Sequence, residues 1–416
     1  MAEDGKVVPL RPQSAAPPDR LSIELVKAEM LLREYSARLN DVTQEIEVTG
    51  TTLEGRKMDF PDLVTCLHSD IGGLYKGCSL DVISEYVAYI ARDEHYNPIL
   101  EKLREKPWDG QPRRVEVYSL LGIADDALSR TLVDKWLLQT VALLFNDVER
   151  PFGAEGVLVL NGPQGAGKTS FFRHLALDPA WFLEGGTIKD NDKDTVRRVV
   201  THWITELGEV ESTLKSDISA LKAFVTSSKD TYRLPYGRFD RKTPRRTSLC
   251  ATCNSDRYLI DPTGNRRWWS VPITKRIPYE DIQKLDALQL WREILTTVDQ
   301  ATTQEAKAKL FRLEPSTQAE LEKRNSGFEK PLKGELECLD ILTQAEAEGY
   351  VYTLQTVSQW RAEWIDTLRA YSVQQISAAL TKLGLKQQRK RLAGSSFASK
   401  VWELPTSVKI PPGARG

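Results

Sequence analysis

An apolar run, Val157-Leu158-Val159-Leu160, leads into Asn161-Gly162-Pro163-Gln164-Gly165-Ala166-Gly167-Lys168-Thr169, which fits the pattern GxxxxGKT. Glycines at these spacings let successive backbone N–H groups turn toward phosphate oxygens. A lysine at the penultimate position reaches β and γ oxygens, and the hydroxyl after it ligates magnesium. The candidate nucleotide-binding residues are therefore Gly162, Pro163, Gln164, Gly165, Ala166, Gly167, Lys168, Thr169 and Ser170, with ATP and magnesium as the implied cofactors. The run Ser170-Phe171-Phe172-Arg173-His174-Leu175-Ala176 reads as a helix whose positive dipole end faces the phosphates. The plain alternative is a glycine-rich turn that binds nothing.

Such a loop needs partners. An acid at the tip of a strand next to the loop strand would hold magnesium through water or orient the attacking water. The segment Trp203-Ile204-Thr205-Glu206-Leu207-Gly208-Glu209 supplies Glu206 first and Glu209 second, each also readable as a solvated loop carboxylate. Thr169 and Glu206 are thus the candidate metal ligands. Ser248 to Cys253 reads as another strand, and Asn254 at its tip could hydrogen-bond the γ-phosphate or the attacking water, or simply form a turn. Farther on, Arg266 or Arg267 could supply a guanidinium to a neighbouring subunit's phosphates, or could pair with Asp256 or Asp261 beside a core made of Trp268 and Trp269.

Between the acid and Asn254, the stretch Tyr232 to Arg246 interleaves cations with aromatic rings and is punctuated by Pro235, Gly237 and Pro244. That composition suits a hairpin or loop that touches a sugar-phosphate track, with Arg233, Arg238, Arg241, Lys242 and Arg245 as candidate DNA contacts. A solvated basic loop is the alternative. A second basic run, with Arg389, Lys390 and Arg391, follows a helical stretch from Tyr371 to Leu383 and precedes a glycine turn at Gly394 and the strand Val401 to Leu404. Helix then wing is a DNA-reading arrangement, and Arg389, Lys390 and Arg391 join the candidates.

The chain that must position these groups has 416 residues, 41% of them hydrophobic, enough for two or three cored domains. Lysine plus arginine number 57 against 58 acids, so polyanion binding would come from local patches, which argues against a simple basic coat protein. No apolar stretch is long enough to cross a bilayer and no leader follows the N-terminal charges, which points to a cytoplasmic protein with five reduced cysteines. Cys250 and Cys253 lie inside an apolar strand without a second pair, and the four histidines are scattered, so neither set reads as a metal site.

The expected organisation is a disordered proline-rich tail at 1–19, an N-terminal helical domain at 20–125, an α/β P-loop domain at 126–313, a winged-helix-like domain at 326–405 and a tail at 406–416. Helical spacing runs from Leu21 to about Asn40 and from Asp81 to Arg92. Leu128 to Phe145 reads as an amphipathic helix at the edge of the P-loop domain, whose parallel sheet is wrapped by helices.

With the loop, Glu206, the basic segment, Asn254 and Gly264-Asn265-Arg266-Arg267-Trp268-Trp269 in this order, the chain resembles the virulence-associated protein E family. Asn97-Pro98-Ile99-Leu100 through Trp108-Asp109-Gly110-Gln111-Pro112-Arg113 looks like that family's segment ahead of the ATPase. Its members are phage and mobile-element ATPases related to superfamily three helicases of the AAA+ class. The resemblance implies a Walker A loop at Gly162 to Thr169, Glu206 as Walker B acid, Asn254 as sensor, and Arg267 as arginine finger with Arg266 beside it. It also implies Arg238, Arg241 and Lys242 on a DNA-touching hairpin, a homohexameric ring, and replication of a phage or mobile element, with a separate primase or replication protein as a further partner. Two departures stand out: Thr205, not a second acid, precedes Glu206, and no catalytic carboxylate cluster for primer synthesis precedes the loop. The expected activity is an ATP-driven DNA helicase or translocase. The alternatives are a nucleotide-controlled replication initiator that does not unwind, and a small-molecule phosphotransferase.

Overall fold

A computed structural model of the chain describes residues 20–52, 55–188, 192–208, 218–233, 240–259, 265–393 and 397–409. The expected tail at 1–19 lies outside the described residues, as do Glu209, Arg238, Asp261, Gly264 and Gly394; of the tail expected at 406–416, residues 406–409 belong to a strand instead, and 410–416 lie outside the described residues.

The N-terminal unit is less helical than its periodicity suggests. Helix α1 (Ile23–Leu32) is capped by the Ser22 hydroxyl and stops at Arg33, where Glu34 takes a left-handed φ of 59°. The chain then turns into an antiparallel pair, β1 (Ser36–Leu39) and β2 (Ile46–Thr49), in place of the helix expected up to Asn40. Helix α2 (Phe60–Ile71) opens with a capping box between Asp59 and Asp62, and α3 (Leu80–Asp93) with a Ser79 cap. Leu63, Leu67, Ile83 and Val87 are wholly buried in the core between them, which runs from Leu21 to Ala91. The next helices, α4 (Pro98–Arg104) and α5 (Arg114–Leu121), put Ile99, Leu103, Val117 and Leu121 into a different core, the one around the central sheet.

That sheet has five parallel strands in the order β4-β5-β8-β3-β9. They are β3 (Val157–Asn161), β4 (Phe182–Gly186), β5 (Ile204–Leu207), β8 (Ser248–Cys253) and β9 (Trp268–Pro272). The fold is α/β, and every residue of β3 is buried, as expected of an inner parallel strand covered on both faces. Helix α6 (Ala127–Ala142) crosses one face. It is buried along nearly its whole length, not at an edge, because its polar groups are satisfied internally: Gln139 accepts from the Glu155 and Gly156 N–H groups, and the Trp136 indole donates to Leu249 O. Helix α7 (Lys168–Leu175) starts from the loop after β3. Between β5 and β8 a hairpin projects, β6 (Lys229–Arg233) paired antiparallel with β7 (Asp240–Pro244).

The C-terminal unit joins the helices Glu335–Glu348, Val357–Glu363 and Val373–Lys382 to a sheet of order β10-β12-β11, made of β10 (Tyr350–Gln355), β11 (Gln388–Lys390) and β12 (Ser399–Lys409). Trp360, Trp402, Ile376 and Leu380 centre its core. It is a helix followed by a wing. Among the described residues, no helix is long and apolar enough to cross a membrane.

Candidate nucleotide site and nucleic-acid interface

The loop that follows β3 is shaped by what lies behind it as well as by what it would hold. A Cβ at Gly162 would collide with the Ile273 carbonyl oxygen, and one at Gly167, already at φ 87°, with that of Ile277. Gly165, at φ 74°, faces open space. Ile277 N–H donates to Ala166 O at 2.8 Å and pins the loop's back, while Pro163, Gln164 and Gly165 remain exposed. Thr169 and Ser170 occupy the first turn of α7, whose free N–H groups suit an anion.

Lys168, though only 5% exposed, is held by three acceptors: Gly162 O and Pro163 O at 2.7 Å, and Asn254 Oδ1 at 2.8 Å. Burial depresses its pKa, with Cys253 and Glu206 opposing. Thr169 Oγ1 donates to Glu206 Oε1 at 2.9 Å, and Thr252 Oγ1 donates to the same oxygen at 2.7 Å. Burial pushes the Glu206 carboxyl up, while hydrogen bonds from Thr252 and Thr169 pull it down. Its second oxygen, Oε2, is buried without a hydrogen-bond partner among the described residues. An acceptor-only carboxylate oxygen left bare beside a loop threonine fits a divalent cation or its bound water.

Lys168, Thr169, Glu206 and Asn254 therefore converge. One expectation is corrected: the strand of the acid is not next to the loop strand, because β8 lies between β5 and β3. That insertion is what brings Asn254, at the tip of β8, to Lys168. Thr252 escaped the sequence reading, although a hydroxyl two residues before a strand-ending Asn shares its face of the strand.

Arg266 and Arg267 sit elsewhere. They form a short turn, Asn265–Arg267, just before β9, and β9 pairs in parallel with β3 so that Trp268 faces Val157 and Pro272 faces Asn161. The arginines thus lie at the start of the strands and the loop at their ends, about 13 Å apart along the sheet at ~3.3 Å per residue. Arg266 is exposed and Arg267 half-buried.

On the hairpin, Arg241 and Lys242 are exposed and Arg233 lies in β6. Arg245 is not a DNA contact. It is 1% exposed, forms a two-armed ion pair with Asp230, and stacks on Phe224 with its guanidinium 4.2 Å from the ring centroid. A guanidinium this deep serves the hairpin's base, where Asn146 Nδ2 also donates to Arg245 O at 2.9 Å. In the wing, Arg389, Lys390 and Arg391 are exposed.

A model of the virulence-associated protein E-like domain matches residues 100–330. Comparison with curated proteins gave no match. Among solved structures, the apo C-terminal region of NrS-1 is similar over 91% of this chain and 98% of that one, at 13% identity and a TM-score of 0.46. SCCmec type IV Cch, described as an active helicase, is similar over 89% and 92% at 11% identity and 0.38, and JCV helicase over 75% and 99% at 12% and 0.27.

Proposed function

This chain belongs to the virulence-associated protein E-like family, and from that premise we propose that it is an ATP-hydrolysing DNA helicase or translocase that works as a ring of identical copies, in the replication of a phage or mobile element. The observation that carries the reading is the convergence of Lys168, Asn254, Thr169 and Glu206 at one end of the sheet.

In the proposed reaction, water adds to the γ-phosphorus as the bond to the β–γ bridging oxygen breaks, giving ADP, inorganic phosphate and a proton. Lys168, released from the loop carbonyls, would meet the β and γ oxygens. Asn254, freed at the same moment, would orient the water or a γ oxygen. Thr169 and Glu206 would hold magnesium, which when bound neutralises phosphate charge. Glu206 is the only acid of the two candidates for which the described residues supply a geometry, and it takes the metal-side role. Arg266, too far along the sheet to reach its own loop, would serve the nucleotide of the next copy, which supports the ring.

Arg241 and Lys242 would follow DNA phosphates on the hairpin, and Arg238 is proposed beside them from the family resemblance alone. The test is ATP turnover with and without single-stranded DNA, together with strand displacement on a forked duplex. Turnover stimulated by DNA, with displacement, is expected; a rate indifferent to DNA overturns the motor reading. A second reading, a replication initiator that does not unwind, is favoured by the exposed Arg389, Lys390 and Arg391 on the wing. Selective binding to an origin without any displacement would establish it.

A further inference from the structure

At the end of the sheet away from the loop, Glu155, Arg266, Trp269, Arg312, Leu313 and Gln318 line a cleft of about 160 Å³. Its chemistry is that of an anion receptor. Arg266 is exposed and makes no ion pair among the described residues. Arg312 places its Nε 3.3 Å from Glu155 Oε1, with its side chain 58% exposed. Trp269 is wholly buried, yet its indole Nε1 has no acceptor among the described residues. Buried indole N–H groups normally find one. The ring has little room to shift, because it lies so close to Gly156 that a Cβ there would collide with it.

Two guanidiniums against one carboxylate leave the cleft with surplus positive charge. Arg312 is also firmly based. It lies between the helices Gln304–Leu310 and Pro315–Ser326, which are tied to α6 by Lys135 donating to Leu310 O and by Arg324 pairing with Asp126. The exposed Arg312–Glu155 contact is weak enough for a multiply charged anion to displace.

We propose that this cleft is the second half of the nucleotide site, completed between copies: Arg312, beside Arg266, meets the terminal phosphate of the triphosphate held on an adjacent copy's loop. The inference rests on reading Arg266 as acting across the interface. It adds a phosphate-touching residue that no loop motif marks, with Glu155 holding it in place until phosphate arrives.

The experiment uses the full chain with ATP and magnesium. Arg312→Ala should lower kcat about 10- to 100-fold, as loss of one transition-state cation does, with binding of a fluorescent ATP analogue unchanged. Mixing tests the direction of action. Arg312→Ala chains keep a good loop and Lys168→Ala chains keep a good cleft, so the mixture should exceed the sum of the two separate rates; Arg266→Ala mixed with Lys168→Ala is the parallel case. If the Arg266 mixture recovers and the Arg312 mixture does not, Arg312 acts within its own chain and the inference is overturned while the ring reading stands. If neither recovers, action across the interface is lost for both. Full turnover by Arg312→Ala also overturns the inference. Should that variant melt early, Arg312→Gln, which keeps the polar stem, carries the same comparison.

Discussion

The two ends of the central sheet are built on opposite plans. At the loop end Lys168 touches Asn254 and Thr169 touches Glu206, both within 3 Å, and Glu206 Oε2 is left bare among the described residues. At the far end Arg266 stands in solvent, Arg312 holds one exposed carboxylate, and the Trp269 N–H has nothing to donate to among the described residues. Buried charges are costly unless most of their hydrogen bonds are made within the chain, whereas a surface that meets its ligand only on assembly can leave donors waiting. That contrast supports the proposal that the loop end holds the nucleotide and the arginine end meets it only on assembly.

The largest effect should come from Lys168→Ala, which removes the charge that meets β and γ oxygens: nucleotide binding and turnover should both disappear in fluorescence titration and phosphate-release assays. Retained turnover would mean that the loop end is not the binding half. Next, Arg266→Ala should lose about 10³-fold in turnover while keeping nucleotide binding. Arg267→Ala sharpens that assignment. If it alone loses turnover at an unchanged melting temperature, the finger is Arg267, as the family resemblance had it.

A third comparison sets the buried and exposed arginines of the hairpin against each other. Arg245→Ala strands Asp230 and should cost about 3–5 kcal/mol in denaturant unfolding. Arg241→Ala and Lys242→Ala should stay within about 0.5 kcal/mol of wild type yet each reduce the salt dependence of DNA binding by roughly one counterion. Equal destabilisation by all three would show that the whole hairpin is structural.

The smallest effect concerns pH. Burial raises the Glu206 carboxyl above its ordinary value, so in the folded state its ionisation is penalised. The penalty is absent below the unfolded pKa, where the group is protonated in both states, grows as pH rises from there to the raised folded pKa, and is constant above it. Glu206→Gln, besides stopping turnover, should therefore raise the melting temperature near about pH 8 and leave it unchanged near about pH 4. A melting temperature lowered at about pH 8 would mean that the two threonine hydrogen bonds outweigh desolvation.

Much of the fold was legible because it rests on local rules. The apolar strand into GxxxxGKT, the helix after it and the helix-then-wing order at the C-terminus follow from periodicity, glycine spacing and turn chemistry. The expected helix from Leu21 to Asn40 failed where a local signal is weak: a left-handed Glu34 ends it, and no glycine or proline marks the spot. Helix α6, expected at the edge of the P-loop domain, is buried with its polar Gln139 and Thr140 inside. Both are buried and bonded to backbone or to Ser248, contacts that sequence spacing does not show.

The groups themselves are written in the chain: a lysine, a hydroxyl, a carboxylate and an amide, each at the tip or start of an element whose type its neighbours dictate. Which of them meet depends on how the elements pack. Strand order is set by how helices pack on both faces of the sheet, and it was this order that inserted β8 beside the loop, carried Asn254 to Lys168, drew Thr252 to Glu206 and sent Arg266 to the far edge. It also separated Arg245 from Arg241: the two lie four residues apart in one basic run, and burial against Asp230 and Phe224 turned one into part of the core while leaving the other on the surface.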